Sequence, residues 1–495
     1  MEKPEEKSPP ATVLPDIAAA ESQTYTSPRA WLSKLAAWGI ETKAVVPVPM
    51  EEKTDKRFIS VFFVWFTMSM NLLPIVTGMV GTLSFGLNLR DASLVILFFG
   101  ILCTIPPAFT STFGARTGLR QMLHARFTFG YYLTSIIIAL NLCTIAGFGI
   151  IDCVLSGMTL AAVSDGNIDA TTGIVIIAIL GLVISGAGYK VLHQFERYSW
   201  ISAFVAIVIA TGVGGKHLSN QAAAEPPTPA MVISYAGVIA GFLIPWATMA
   251  SDFTVYCHPS VSTLRIFSYT YAGLFLPTIP LMVLGAAIGG AVPNNPSWST
   301  GYTSNSAGGV LEAILRPVGG FGKFVSVLLS FSLLGNLAAS TYSISLNFQL
   351  LFPTRWMQKI PRPVYVAVYI AVAIPVAISA AKSFFASLEN FLYLIAYWSA
   401  AAVGIIATEH IVFRRCDWGK YDHVSCLAPS MLPTGIAAIC AMGASFGLVV
   451  PCMSQVWYTG PLAEKSGDIG FEVALVLAPV LYLPCRWVER RVRGC

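Results

Sequence analysis

The sequence predicts an all-α, polytopic membrane protein with twelve transmembrane helices, and three observations carry that prediction. Of the 495 residues, 55% are hydrophobic and only 11% are charged, and the mean hydropathy is +0.69. The apolar residues fall in continuous runs long enough to cross about 30 Å of hydrocarbon, which takes ~20 helical residues each. The basic residues gather in alternate loops between those runs. Soluble globular domains do not combine these properties. A closed β-barrel also satisfies every backbone group in lipid, but it would alternate polar and apolar residues in pieces of about ten.

The twelve windows run roughly over 58–86, 91–113, 131–163, 170–189, 198–214, 231–256, 266–291, 324–350, 363–381, 387–413, 431–453 and 468–485. With the N-terminus on the cytoplasmic side, the five interior loops hold twelve Lys and Arg and the six exterior loops hold six. The N-terminal tail adds eight and the C-terminal tail four, which accounts for all thirty. Cytoplasmic loops of membrane proteins carry this excess, so both tails are expected inside. The net charge of +5 is thereby explained without a nucleic-acid partner.

The organisation follows from these windows. Residues 1–57 are polar, show no cleavable signal peptide and read as a disordered cytosolic tail. A ten-helix core is expected over 58–413, with repeat one about 58–214 and repeat two about 231–413. Two additional helices fall in 414–485, and a cytosolic tail in 486–495. The ten cysteines have neither metal nor disulfide spacing, and the final residues VRGC do not form a prenylation box. A His-Glu helix motif, nucleophile elbow and P-loop are absent from the sequence, so neither an enzyme nor a cofactor is indicated.

Spans one and six share a feature. Span one reads WFTMSMNLLPIVTGMVG, with Asn71, Pro74, Thr77 and Gly78 at its centre. Span six reads SYAGVIAGFLIPWATMASDFTVY, with Gly237, Gly241, Pro245 and Trp246. Proline removes a helical hydrogen bond and kinks the chain, and freed backbone groups survive in a membrane only where they line a cavity. Helix breaks are therefore expected at Pro74, Gly78, Gly241 and Pro245. Two interrupted spans in matching positions point to an inverted-repeat transporter with a midplane site. An ordinary proline kink is the alternative for either span alone.

Spans three and eight, also five apart, are rich in small and polar residues. Gly147, Gly149, Ala338 and Ala339 suit close helix packing. Asn141, Asp152, Asn336 and Ser340 need polar partners inside the bilayer. Asp152 stands in a nearly uncharged stretch, and a carboxylate at bilayer depth costs roughly 2.5–3.5 kcal/mol on insertion scales. Three roles remain open for it: acceptor for an amino or cationic solute, carrier of a coupling proton, or structural carboxyl bonded to a neighbouring carbonyl.

The stretches GIETKAVVPVPMEEKTDKRF, TGLRQMLHARFTFGYY, WATMASDFTVY, YSISLNFQ and YWSAAAVGIIATEH followed by FRR resemble the fungal purine–cytosine permeases of the nucleobase–cation symporter family. The resemblance runs from about Gly39 to the C-terminus. It implies a five-plus-five inverted-repeat symporter fold with spans eleven and twelve outside the core, and proton-coupled uptake of purines or cytosine across the plasma membrane. It also implies a solute stacked on aromatics of spans three and six. By that resemblance Trp246 is the stacking platform, with an interfacial belt tryptophan as the alternative. Asn336 is a polar contact to the solute, while Phe148, Asp152, Thr77 and Ser340 occupy the remaining binding positions. Asp252 of the ASDF stretch is either a second proton-coupling candidate beside Asp152 or a structural carboxylate at a helix end. Glu409 and His410 read as a solvated or salt-bridged helix end.

Several positions depart from the family pattern. Asn336 is followed by LAAS where relatives carry an Asn-Asn-Ile-Pro-Asn run, and Phe148 and Asp152 stand where relatives have Trp and Asn. Val76 replaces a frequent serine. Phe148 and Asp152 are four residues apart and so share one helical face. Sodium is a rival coupling ion, with Ser330 and Ser332 as candidate ligands unless they bond back to their own helix. The same fold carrying pyridoxine, thiamine, allantoin, uracil or a specialised metabolite is the alternative solute reading, and a non-transporting nutrient sensor is the alternative function. The expected partners are a small nucleobase-like molecule and the lipid bilayer, with no obligate protein partner.

Overall fold

A computed structural model of the protein describes residues 47–56, 59–186, 189–351, 360 and 362–493. Among these residues, eight helices are long and apolar enough to cross a membrane, a broken pair forms a ninth crossing, and three shorter apolar helices complete the set. Together they match the twelve expected windows. Span three (Thr134–Val163) is the hub of one half, packing on span four (Ala170–Gly186), span eight (Gly319–Phe331 and Leu334–Leu351) and span nine (Arg362–Ala381). Span ten (Phe384–Thr408) packs on span six (Pro229–Leu243) and span twelve (Gly470–Arg493), and span eleven (Ile436–Cys452) packs on span twelve.

Span one breaks between Ile59–Ser69 and Leu72–Leu83, whose axes differ by 55°. The break falls at Met70–Asn71, not at Pro74 or Gly78. The Asn71 side chain accepts from the Leu73 amide at 2.9 Å and caps the second half. Pro74 lies in that half's first turn, where an N–H has no intrahelical partner to lose. Gly78 is a packing position: a Cβ there would lie 1.9 Å from the Met282 carbonyl of span seven (Thr263–Ala291). Gly285 of span seven returns the contact, with the Ile75 carbonyl 1.8 Å from its would-be Cβ.

Span six is α-helical to Leu243 and then tightens into 3-10 turns at Ile244–Thr248 and Ala250–Phe253. Pro245 sits in the first of these turns. Gly241 does not break the chain: it lies within the α-helix, and its would-be Cβ is 2.1 Å from the Leu392 carbonyl of span ten. The two interrupted spans meet where the Tyr235 hydroxyl donates to the Gly78 carbonyl at 3.3 Å.

Other expectations need correction. The loop after span two (Leu89–Cys103 and Ile105–Thr117) contains a buried helix, Gln121–Phe129. The loop after span seven contains Pro296–Leu315, kinked at Asn305 and Ser306. Span twelve continues as helix to Arg493, so residues 486–493 of the expected C-terminal tail are helical. Within the expected N-terminal tail, Pro47, Val48 and Lys53 are buried, and Lys53 donates to the Ala115 carbonyl at 2.6 Å. Residues 1–46 and 57 of that tail lie outside the described residues. Of the two readings given for the end of span ten, the salt-bridged one holds, since buried Glu409 pairs with Arg414 at 3.2 Å and with Arg486 at 3.1 Å.

Candidate functional site

The 3-10 stretch of span six carries Trp246 against span three. Its ring lies 5.9 Å from that of Phe148, with planes inclined by only 21°. Phe148 is held from behind by Phe391 of span ten at 5.1 Å, ring edge to ring face, and by Phe242 at 6.4 Å. The close fit depends on Gly147, because a Cβ there would meet the Phe391 ring at 2.1 Å. Gly149 plays the same part against the Tyr369 hydroxyl at 2.2 Å. Trp246 is held in turn by Trp65 of span one, edge to face at 5.7 Å. The ring pair is thus supported by four spans.

Three polar atoms at this site are buried without a hydrogen-bond partner: the Nε1 donors of Trp246 and Trp65 and the Asp152 Oδ1 acceptor. Asp152 is 1% exposed and lies one helical turn beyond Phe148. A buried donor or acceptor left unmade costs about 1–3 kcal/mol, and more when charged. A proton, or a donor on a bound solute, relieves that cost at Asp152. An acceptor relieves it at either indole.

The remaining candidates are placed as follows. Asn336 of span eight donates from Nδ2 to the Met68 carbonyl at 3.1 Å, the same carbonyl that Asn71 Nδ2 reaches at 2.8 Å. Two amides therefore satisfy the carbonyl that the break in span one sets free. Ser340 lies one turn beyond Asn336 and is half-buried. Thr77 is fully buried, with its hydroxyl bonded to the Leu73 carbonyl at 2.9 Å, so it packs inside span one and presents no surface. Asp252 is engaged elsewhere: its Oδ1 accepts from the Gln121 amide at 2.7 Å and so caps the buried helix Gln121–Phe129.

Ser330 faces span three, not span one. It exchanges reciprocal bonds with Ser156, each hydroxyl donating to the other's carbonyl at 2.9 Å. Ser332 bonds back to Leu329 at 2.6 Å. Among the described residues no cluster of three or more His, Cys, Asp and Glu could hold a metal ion.

Some residues of the site are not evident from composition or spacing. Thr248 donates to Asn141 Oδ1 at 2.7 Å, and Asn141 Nδ2 approaches Asn347 Oδ1 at 3.4 Å. Thr248 and Asn347 lie inside the stretches WATMASDFTVY and YSISLNFQ, whose order along the chain was the available signal. Phe391 and Phe242 carry no local mark, since both read as ordinary apolar positions.

A membrane-embedded bundle with two broken helices and an aromatic, partly unsatisfied centre defines a transporter of small solutes. The chain belongs to the family described as "Permease for cytosine/purines, uracil, thiamine, allantoin", which it matches over residues 47–470. It is 33% identical over 486 residues to the purine-cytosine permease fcyB of Emericella nidulans, covering 96% of this chain and 95% of that one. It is 33% identical to the purine-cytosine permease FCY2 of Saccharomyces cerevisiae, covering 94% and 89%. The vitamin B6 transporter TPN1 of Saccharomyces cerevisiae is 26% identical over 94% of this chain and 90% of its own. In fold, the chain is similar to Mhp1, a nucleobase-cation-symport-1 family transporter. The inward-facing form gives a TM-score of 0.71 at 16% identity, covering 91% of this chain and 95% of Mhp1. The closed form with bromovinylhydantoin bound gives 0.65, covering 88% and 93%. The protein is a multi-pass secondary active transporter and not an enzyme.

Proposed function

We propose that the protein takes up purine- or cytosine-type nucleobases by alternating access, coupled to protons, at the plasma membrane, with both termini cytosolic. The observation that carries this reading is the near-parallel Phe148–Trp246 pair with the unpartnered Asp152 acceptor one helical turn beyond Phe148. A flat heteroaromatic ring bearing an amino donor complements both. Offset stacking adds about 0.5–1.5 kcal/mol per pair beyond area burial. A ring between the two faces needs about 3.5–4 Å on each side, so its hosts must stand ~7–8 Å apart. The pair at 5.9 Å must therefore part on binding.

The names of the relatives agree with this chemistry. Proton coupling is favoured over sodium because Ser330 is committed to span three and the Met68 carbonyl already receives two amide donors. The alternate-loop charge bias supports cytosolic termini. The test is labelled uptake in permease-deficient yeast with adenine, guanine, hypoxanthine, cytosine, uracil, pyridoxine and thiamine, with and without a protonophore. Saturable, protonophore-sensitive accumulation of a purine or cytosine is expected. Uptake of only pyridoxine or thiamine, or binding without accumulation, overturns the reading.

A further inference from the structure

Spans three and six, which carry the two rings, are also joined by polar atoms that do not belong to the ring pair. Thr248 follows Trp246 by two residues, and Asn141 precedes Phe148 by seven, two helical turns along one face of span three, or about 10 Å. The Thr248 hydroxyl lies 2.7 Å from Asn141 Oδ1 and also 2.7 Å from the Pro245 carbonyl, one of the backbone groups at the start of the 3-10 stretch. Asn141, Thr248 and Asn347 are 1%, 3% and 6% exposed. Asn347 Oδ1 takes Asn141 Nδ2 at 3.4 Å, while Asn347 Nδ2 is anchored to the Ser343 carbonyl of its own helix at 2.9 Å. Ile145, Met249 and Ile344 belong to a buried apolar cluster that also packs against Trp246.

A 3-10 stretch lacks the continuous i to i−4 ladder that fixes side-chain phase in an α-helix. Trp246 therefore takes its phase from whatever holds the stretch against its neighbours. We propose that Thr248 and Asn141 form a positioning pair that sets the Trp246 ring against Phe148, with Asn347 orienting the Asn141 amide. The pair acts on solute affinity without touching the solute. In its effect on uptake it rests on the nucleobase reading above; in its effect on the ring it does not.

The test uses Thr248→Val, which keeps the shape and loses the hydroxyl, beside Thr248→Ser, which keeps the hydroxyl. A 5-fluorotryptophan signal assigned to Trp246 by its loss in Trp246→Phe should move in Thr248→Val and stay in Thr248→Ser, with no solute present. Uptake KM should rise about tenfold in Thr248→Val, near the upper end of what one lost hydrogen bond produces, with maximal rate within twofold and near-normal KM in Thr248→Ser. Asn141→Leu should do the same, and the double variant should be no worse than either single. An unmoved Trp246 signal in Thr248→Val overturns the proposal, as does equal damage in Thr248→Ser and Thr248→Val. If Thr248→Val fails to fold, the same signal is read in Asn141→Ser, where an unmoved signal is equally fatal. Absence of nucleobase uptake in the unmodified protein, with the Trp246 signal still moving, defeats the nucleobase reading and leaves the positioning pair intact.

Discussion

Replacing Asp152 probes the site most directly. Its carboxyl is 1% exposed and one oxygen has no partner in the protein, so a solute amino group is expected to supply one. A hydrogen bond to a charged group contributes about 1.5–3 kcal/mol and one between neutral groups about 0.5–1.5. Asp152→Asn should therefore cost about 1–1.5 kcal/mol of affinity, roughly a five- to tenfold rise in KM for adenine or cytosine. Asp152→Leu removes the acceptor altogether and leaves the solute donor unpaired. It should cost about 3 kcal/mol, more than a hundredfold. Hypoxanthine, which has no exocyclic amino group, should be affected less by both changes. The assay is concentration-dependent uptake of each base at matched surface expression, repeated over a range of external pH. If Asp152 also carries the coupling proton, Asp152→Asn should lose protonophore-sensitive accumulation while keeping exchange of solute across the membrane. Unchanged KM for the amino-bearing bases in both variants, with an unchanged pH profile, would refute the role of this carboxyl in binding and coupling alike.

Other outcomes follow from the same geometry. Trp246→Ala and Phe148→Ala should each weaken solute binding by several-fold or more through loss of a stacked face, measurable as KM with normal trafficking. Asn71→Ala should destabilise by about 1 kcal/mol through loss of the helix cap plus the bond to the Met68 carbonyl, read as a lower thermal midpoint in detergent. Gly78→Ala should abolish assembly at the membrane, because the new methyl would lie 1.9 Å from the Met282 backbone, and a stable, active variant would contradict the crossing described. His124, outside the membrane-spanning segments, has both ring nitrogens buried without partners and stacks on Phe113 and Tyr421 at 4.4 Å each. Burial, then the Arg414 charge and His410, hold it well below the ordinary histidine value of 6.5. The unfolded chain therefore binds the extra proton first, and stability should fall as pH drops below about 6.5. His124→Gln should flatten that dependence in a thermal melt.

The apolar windows, the charge bias and the ordered motifs were enough for the helical class, the number of crossings and the family, because hydrocarbon thickness and backbone satisfaction act on every residue of a span alike. The pairing of Phe148 with Trp246 was legible only through the family resemblance, which implies a stacking aromatic in each of spans three and six. Pro74 was misleading: a proline breaks a helix only where an N–H is needed, and the Asn71 cap had already begun a new helix before it. Gly78 and Gly241 looked like breaks for a similar reason, since a glycine that frees the backbone and a glycine that admits a neighbouring helix are identical in sequence.

What the chain by itself determined, then, was the set of membrane crossings and the chemistry available at the centre. Only the tertiary structure decided which polar groups meet. Thr77 and Ser332 turned to their own helices, Ser330 to span three, and Asp252 to the helix it caps, while Asp152 and the Trp246 indole were left with unmet demand. A hydrogen bond is satisfied by whatever lies within about 3 Å, and distances across the bundle are set by the packing of spans hundreds of residues apart, which no local pattern contains.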